Sequence, residues 1–307
     1  MKTLILKSDR GSFERFYIEQ MQRENIDVSS FYRPLKEIMR YVSLIHIQKL
    51  NLPFSSIWYG NWKKYIQNYE EVIIFDRNYN WNIVEYIHRK NPNCRIIIWY
   101  WNPINQLKRI PQKYLEYCEE WSFDFGDCKK YYMRYNNQFT FSKVFDKKNN
   151  HRIKWKLYFV GADKGRAEQL CFIKKCAEAD GLKVKFIVTR DKTSNNSEIE
   201  YSMPITYEDN LKYLYSSECI VEILQREQEG LSVRCLEALF LQKKIITNNS
   251  KIVQYEFYNP NNFFIIKKNN LTKENLHDFL SMPYVTVDQS VIKKYDFINW
   301  LNNFKSQ

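Results

Sequence analysis

Two glutamates, Glu229 and Glu237, stand with seven residues between them in the stretch EGLSVRCLE. The second lies in a run that is otherwise almost wholly apolar: Val233, Cys235, Leu236, Ala238, Leu239 and Phe240. A carboxylate on so apolar a helix needs a partner, because an unpaired buried charge costs several kcal/mol. Two partners fit: Arg234, three residues back on the same helix, or a ligand rich in hydroxyls. A second constellation lies upstream, Gly161-Ala162-Asp163-Lys164-Gly165-Arg166, which sets two glycines, a lysine and an arginine at a helix start. A helix start carries partial positive charge and unpaired amides, and glycine lets backbone approach a phosphate closely. The chemistry is anion binding, unless the turn is simply solvated. It is not a Walker loop, since the GK[ST] ending is absent.

The elements that must hold these residues follow from hydrophobic period. CIVEIL (Cys219–Leu224) is a short apolar strand, and KKIIT after the second glutamate reads as another. Strand, Gly-containing loop, buried helix and strand make the βαβ unit of a parallel sheet. The same grammar precedes it: KLYFVG (Lys156–Gly161) as strand, Ala167 to Ala179 as helix, KVKFIV (Lys183–Val188) as strand, and Tyr207–Glu218 as helix. The first half repeats it with KTLILK (Lys2–Lys7), a turn at residues 8–12, and a helix from Ser12 through Gln22. EVIIFD (Glu71–Asp76) and CRIIIWYW (Cys94–Trp101) are strands around a helix that Asn91-Pro92 stops. Such alternation predicts α/β domains with doubly wound parallel sheets. The polar run FDKKNNHRIK reads as a linker, placing one domain over 1–148, a second over 149–290 and a terminal helix over 291–307.

Glu229 through Glu237, in this strand–loop–helix–strand setting, resembles the E-x7-E signature of retaining glycosyltransferases of the GT-B fold. Arg234 inside the motif and Thr247-Asn248-Asn249 after the next strand are similar to a bacterial polysaccharide and lipopolysaccharide biosynthesis subgroup. The resemblance implies two Rossmann-like domains facing a central cleft, and a terminal helix packing back toward the N-domain. It implies Glu229 as the carboxylate facing the donor sugar, Gly230 as the close-approach glycine and Glu237 as the ribose ligand. Gly161, Lys164, Arg166 and Arg234 would serve the donor, the turn holding its diphosphate. One departure stands out: Gln242-Lys243-Lys244 replaces the usual Gly-Lys-Pro.

Ligands of open parallel sheets bind at the C-terminal ends of the strands. That rule nominates Asp9–Phe13, Asp76–Tyr79 and Trp101-Asn102-Pro103 for the acceptor side, with Asp9, Gly11, Trp101 and Asn102 as the residues of interest. Trp101 offers a face to a sugar ring or packs in the core; Asp9 and Asp76 bond hydroxyls or cap helices. Asp124-Phe125-Gly126-Asp127 is one residue too long for a DxD metal site. No metal and no cofactor are expected beyond the nucleotide-sugar substrate. Basic side chains and a helix dipole would manage the leaving diphosphate.

Composition sets the remaining bounds. A 44% apolar share over 307 residues suffices for two packed domains. No apolar run approaches the ~18–20 residues that span a bilayer. The start, MKTLILKSDRGSF, is too short for a signal-peptide core and reads as a strand, so the chain is expected in the cytoplasm. The seven cysteines show no CxxC and the four histidines do not cluster. A net charge of +12 calls for an anionic partner. Helix-turn-helix, RNP and zinc patterns are lacking, so nucleic acid is not the expected one. A nucleotide sugar and a glycan or lipid-linked glycan acceptor are. The basic, apolar stretch Tyr32–Leu50 is either a helix touching anionic membrane, on its inner face, or a core helix with solvated lysines and arginines. A GT-B sugar-nucleotide-binding protein or epimerase without transfer activity is the alternative, with a basic nucleic-acid-binding protein behind it.

Overall fold

The computed structural model describes residues 2–46, 55–76, 81–146, 152–195, 198–225, 228–267 and 269–305. The chain divides into two compact units, Met1–Asn136 and Asn137–Gln307. The expected boundary at 148/149, inside the polar linker, falls among residues outside those described.

In the first unit, strands β1 (Thr3–Leu6), β2 (Asp27–Ser29), β3 (Glu71–Phe75), β4 (Arg95–Tyr100), β5 (Glu119–Ser122) and β6 (Arg134–Tyr135) form one sheet. Its order is β2-β1-β3-β4-β5-β6 and every neighbouring pair is parallel. The helices are α1 (Ser12–Arg23), α2 (Glu37–Leu44), α3 (Asn82–Lys90) and α4 (Phe125–Tyr131). Side chains alternate across a strand. Leu4, Val72, Ile74, Ile96 and Ile98 therefore share one core with Ile83, Val84 and Ile87 of α3. Ile5, Ile73 and Ile97, the alternate residues, are fully buried as well. Burial on both faces is why these strands read as unbroken apolar runs. Asn91 ends α3, its amide donating to the carbonyls of Ile66 at 3.1 Å and Tyr69 at 2.8 Å.

Of the helix expected over Tyr32–Leu50, residues 47–50 lie outside those described, and α2 occupies Glu37–Leu44. Four of its apolar side chains point outward: Ile38 is 79% exposed, and Met39, Tyr41 and Val42 are exposed too, while Ser43 is buried. At Ile38, Met39, Tyr41 and Val42 the structure does not show the packed face that the core-helix reading requires.

In the second unit, β7 (Trp155–Ala162), β8 (Val184–Thr189), β9 (Ser217–Glu222), β10 (Lys244–Thr247) and β11 (Phe263–Ile265) form a parallel sheet of order β11-β10-β9-β7-β8. Its helices are α5 (Ser142–Phe145), α6 (Ala167–Ala179), α7 (Tyr207–Tyr215), α8 (Val233–Phe240), α9 (Lys273–Ser281), α10 (Gln289–Lys293) and α11 (Phe297–Asn303). Leu157, Phe159, Val221 and Ile246 pack with α6 and α9 through Leu170, Ile173, Leu276 and Phe279. Tyr158, Ile220 and Ile245 pack with α7 and α8 through Leu214, Leu236 and Leu239. The sheet is thus covered on both faces, as in a doubly wound fold.

The tail is two short helices rather than one. Asp296 breaks it, accepting from Phe297 N at 3.0 Å and from the Ser142 amide and hydroxyl at 2.9 and 3.0 Å. Phe139 packs on Trp300 at 4.3 Å between centroids, and Phe141 on Phe297 at 5.2 Å. Residues 137–145 therefore belong to the second unit's core together with α11. In both sheets the strand order reverses once, between β1 and β3 and between β7 and β9. Open α/β sheets take ligands at such switch points, beyond the strand C-termini.

Candidate functional site

At the β7/β9 switch point, β7 ends in Gly161, whose φ of +156° and missing Cβ matter together. A Cβ there would lie 3.1 Å from Arg166 Nη2 and 3.5 Å from Arg234 Nη2. Glycine is what lets two guanidiniums lie over the strand end. Arg166 Nε donates to Asp163 O at 3.0 Å, Nη1 to Ile223 O at 2.7 Å, and Nη2 to Ala162 O. Arg234 Nη2 donates to Val160 O, while its buried Nε finds no acceptor among the described residues. The two arginines thus stitch the loop after β9 and the start of α8 to the end of β7. Burial, then the neighbouring Arg234, lowers the Arg166 pKa to about 10; Asp163, Asp191 and Glu222 oppose this. Two cations thus lie at one strand end, one of them with an N–H that finds no acceptor among the described residues, an arrangement whose charge an anion would match.

The turn itself differs from expectation. Its helix-start amides are already bonded by the chain's own side chains. Asp163 Oδ1 accepts from Arg166 N and Ala167 N, each at 3.1 Å, and its Oδ2 from Tyr201 OH at 2.6 Å. Lys164 N donates to Asp191 Oδ2 and Gly165 N to Thr193 Oγ1, both at 2.8 Å. Lys164 has φ +49°, and both its side chain and Gly165 are exposed. The groups left at this strand end are guanidiniums rather than free amides.

Glu229 lies on the loop before α8, its side chain 42% exposed and 3.9 Å from Lys251 Nζ. That loop is held from β10 onward: Asn249 Nδ2 donates to Glu229 O at 3.4 Å, and Asn248 exchanges bonds with the Leu224 backbone at 2.7 and 3.2 Å. Gly230 next to it is buried. Ser232 caps α8, accepting from Cys235 N at 3.2 Å, and donates to Glu222. Glu222 also accepts from Thr247 Oγ1 at 2.6 Å.

Glu237 is only 4% exposed. Its Oε1 accepts from Tyr207 OH at 2.5 Å and Asn210 Nδ2 at 3.5 Å, and Asn210 Oδ1 accepts from Tyr158 OH at 2.9 Å. Both of these bonds go to Oε1, and none from a described residue reaches Oε2. Burial raises its pKa to about 7, against the Tyr207 bond, the Arg234 charge and the Asn210 bond. Sequence reasoning weighed Arg234 or a ligand as partner and missed Tyr207 and Asn210. Their spacing of three on one helix, behind the Thr206 cap, was the available signal.

In the first unit the switch point gathers Lys7, Phe75 and Trp101. Lys7 Nζ, a buried group, lies 4.9 Å over the Trp101 ring and 5.2 Å over Phe75. Trp101 also touches Tyr17 at 5.2 Å and Phe13 at 6.0 Å, so most of its surface is packed. Asp76 accepts from Asn102 N at 2.6 Å and Nδ2 at 3.0 Å, tying the end of β4 to that of β3. Residues 77–79 lie outside those described. Gly11, at φ +101°, begins α1 and leaves room for Glu14, whose Oε2 would sit 2.5 Å from a Cβ. Asp9 is exposed on the same loop. Asp124 caps α4, accepting from Asp127 N at 3.2 Å, and Asp127 accepts from Ile104 N at 2.8 Å. Both acids are structural. The described residues contain no group of three or more His, Cys, Asp and Glu able to hold a metal ion.

No protein-family profile and no curated protein matches the chain. Solved structures do. A glycosyltransferase from Rickettsia africae is similar at a TM-score of 0.55 and 11% identity, over 99% of this chain and 96% of that one. HepE from Anabaena in complex with UDP-glucose is similar at 0.58 and 8%, over 100% of both chains. An alpha-glucosyltransferase in complex with UDP and a 13-mer DNA is similar at 0.58 and 9%, over 95% and 92%. At such identities the likeness is one of fold. The chain has the GT-B architecture, two α/β units each built on a parallel sheet.

Proposed function

We propose that this chain is a glycosyltransferase that moves a sugar from a nucleotide-sugar donor to a hydroxyl of a bacterial surface glycan or lipid-linked glycan, with retention at the anomeric carbon. The observation that carries this reading is the convergence of Arg166 and Arg234 over Gly161 at the β7/β9 switch point. The guanidiniums hold the diphosphate and take up the charge that grows on it as the sugar leaves. Glu229, half-exposed on the loop before α8, balances the positive charge on the departing sugar. Glu237 bonds a ribose hydroxyl through Oε2. Lys164 reaches the diphosphate from the exposed side of the turn. Gly11, Trp101 and Asn102 shape the acceptor side, with Asp9 bonding an acceptor hydroxyl. No divalent ion is required, since side-chain cations do that work.

A lipid-linked acceptor accords with α2, which turns Ile38, Met39, Tyr41 and Val42 outward with Arg33 and Lys36 just before it. Apolar and basic groups together suit the inner face of an anionic membrane. No helix among the described residues is long and apolar enough to cross one. A nucleic-acid acceptor is the second reading, favoured by the net charge of +12 and by the DNA in one similar structure.

A thermal-shift panel of UDP, GDP, dTDP and CMP sugars tests the donor. A ligand at a hundred times its Kd adds about 2.7 kcal/mol of stability, so the correct nucleotide raises the Tm by several degrees. A flat panel overturns the reading. Transfer assays with the selected donor then offer glycan, lipid-linked glycan and duplex DNA as acceptors. Anomeric NMR of the product against the donor reads the stereochemistry.

A further inference from the structure

A pocket of ≈480 Å³ runs along the outer side of β2, the edge strand of the first sheet. Asn25, Asp27, Asn61, Trp62, Tyr65 and Tyr69 are among the residues that line it. Asn25 and Tyr69 precede β2 and β3, so this end of the pocket lies at the strand N-termini. Trp101 and Asn102 follow β4 and mark the opposite, C-terminal end of the sheet. The pocket is therefore separate from the switch point described above.

Its chemistry is that of a neutral, hydroxyl-rich ligand. The one acidic group, Asp27, is already matched: it accepts from Tyr69 OH at 3.0 Å and pairs with Lys2 at 3.4 Å. With no unmatched cation in its wall, the pocket has nothing to select a phosphate or another anion. Aromatic groups come from Trp62, Tyr69 and Tyr65, the last 57% exposed. Trp62 is fixed by its Nε1 bond to Phe31 O at 3.1 Å and by stacking on Tyr59 at 5.5 Å. The amides of Asn25 and Asn61 and the Tyr65 hydroxyl make no side-chain hydrogen bond to a described residue. Asn25 is held at φ +61° in the α1–β2 turn, a conformation that asparagine tolerates better than most residues. Trp62 is only 4% exposed and Lys2 Nζ lies 5.0 Å over the Tyr69 ring, so it is the exposed Tyr65 ring, beside the unengaged amides, that matches the C–H face and the hydroxyls of a pyranose.

We infer that this pocket is a second carbohydrate site, holding a neutral sugar unit of a glycan chain away from the point of transfer. Binding here needs no turnover and no nucleotide, so it is measurable whether or not the transfer reading stands.

The probes are maltohexaose, cellohexaose, mannohexaose and chitohexaose, followed by saturation-transfer NMR on the full chain, with heparin as an anionic control. At least one neutral hexasaccharide is expected to bind, with UDP failing to displace it. Tyr65→Ala and Asn61→Ala, both at exposed positions, should each weaken it about tenfold, or roughly 1.4 kcal/mol, with Tm unchanged. Absence of binding by all four neutral probes overturns the inference. So does binding that UDP displaces, that both variants retain at full strength, or that heparin outcompetes by occupying the same residues.

Discussion

The guanidiniums of Arg166 and Arg234 lie against one aromatic ring, that of Phe159, at 5.2 and 5.3 Å from its centroid. A shared ring holds two like charges close together at the end of β7, a cost that an anionic ligand offsets. The two arginines are nevertheless not equivalent. Arg166 serves three backbone carbonyls, Arg234 one.

Replacing them should separate fold from binding. Arg166→Ala leaves carbonyls without donors and should cost about 1–3 kcal/mol of stability, seen as a lower Tm without ligand. Arg234→Met keeps much of the packing and removes the charge. It should weaken nucleoside diphosphate binding by about tenfold to a hundredfold, the loss of one charge-assisted bond. Calorimetry that finds equal affinity in the Met variant would remove Arg234 from the anion site.

Glu229→Gln keeps volume and deletes charge. If the carboxylate acts on the departing sugar, kcat should fall on the order of a hundredfold while nucleotide affinity stays close to wild type. A kcat within about threefold of wild type, against that expected hundredfold, would falsify the role given to Glu229. Its pairing with Lys251 is too exposed to matter to the fold.

Glu237 makes stability depend on pH in a defined direction. Its folded pKa of about 7 exceeds the ordinary 4.5, so folding favours the protonated form. That contribution is complete below the unfolded value and is lost as pH rises through 7. Without nucleotide, Glu237→Gln should therefore gain Tm relative to wild type between pH 5 and 8. Parallel Tm curves for the two proteins across that range would show that the buried carboxyl titrates normally.

If Arg166 and Arg234 supply the positive charge, transfer should survive EDTA, since Asp124 is engaged in capping α4 and Asp127 in accepting from the Ile104 amide. Loss of activity with EDTA and its return with manganese or magnesium would count against guanidinium-based catalysis.

For α2, Ile38→Asp combined with Val42→Asp should abolish sedimentation with phosphatidylglycerol vesicles and leave Tm unchanged, since both side chains are exposed. Equal sedimentation of the double variant would exclude α2 as the membrane contact.

Much of the architecture was legible because buried parallel strands write themselves as apolar runs: Glu71–Phe75, Arg95–Tyr100, Ser217–Glu222 and Lys244–Thr247 all lie within or across such runs. Short or polar strands were not. Asp27–Ser29, Glu119–Ser122 and Arg134–Tyr135 owe their conformation to pairing with a neighbour, which leaves no periodic trace. At the β7/β9 switch point the residue types of Gly161, Arg166 and Arg234 were visible in the sequence, and the fold brings them together. What the amides of Lys164 and Gly165 bond to was not, because Asp191 and Thr193 come from a loop more than twenty residues away. Likewise Asp76, weighed as a helix cap or a hydroxyl ligand, instead anchors Asn102 through a contact that only the β3–β4 pairing brings about.

The packing of Phe139 and Phe141 against Phe297 and Trp300 bears on the order in which the chain acquires its structure. The first unit ends at residue 136. The second cannot complete its core until residue 304 has been synthesised, because contacts near residue 140 wait for α11. Domains fold as units during translation, N-terminal first, and long-range contacts are slow to form. Until synthesis reaches α11, Phe139 and Phe141 lack the Trp300 and Phe297 rings that they pack against in the native fold.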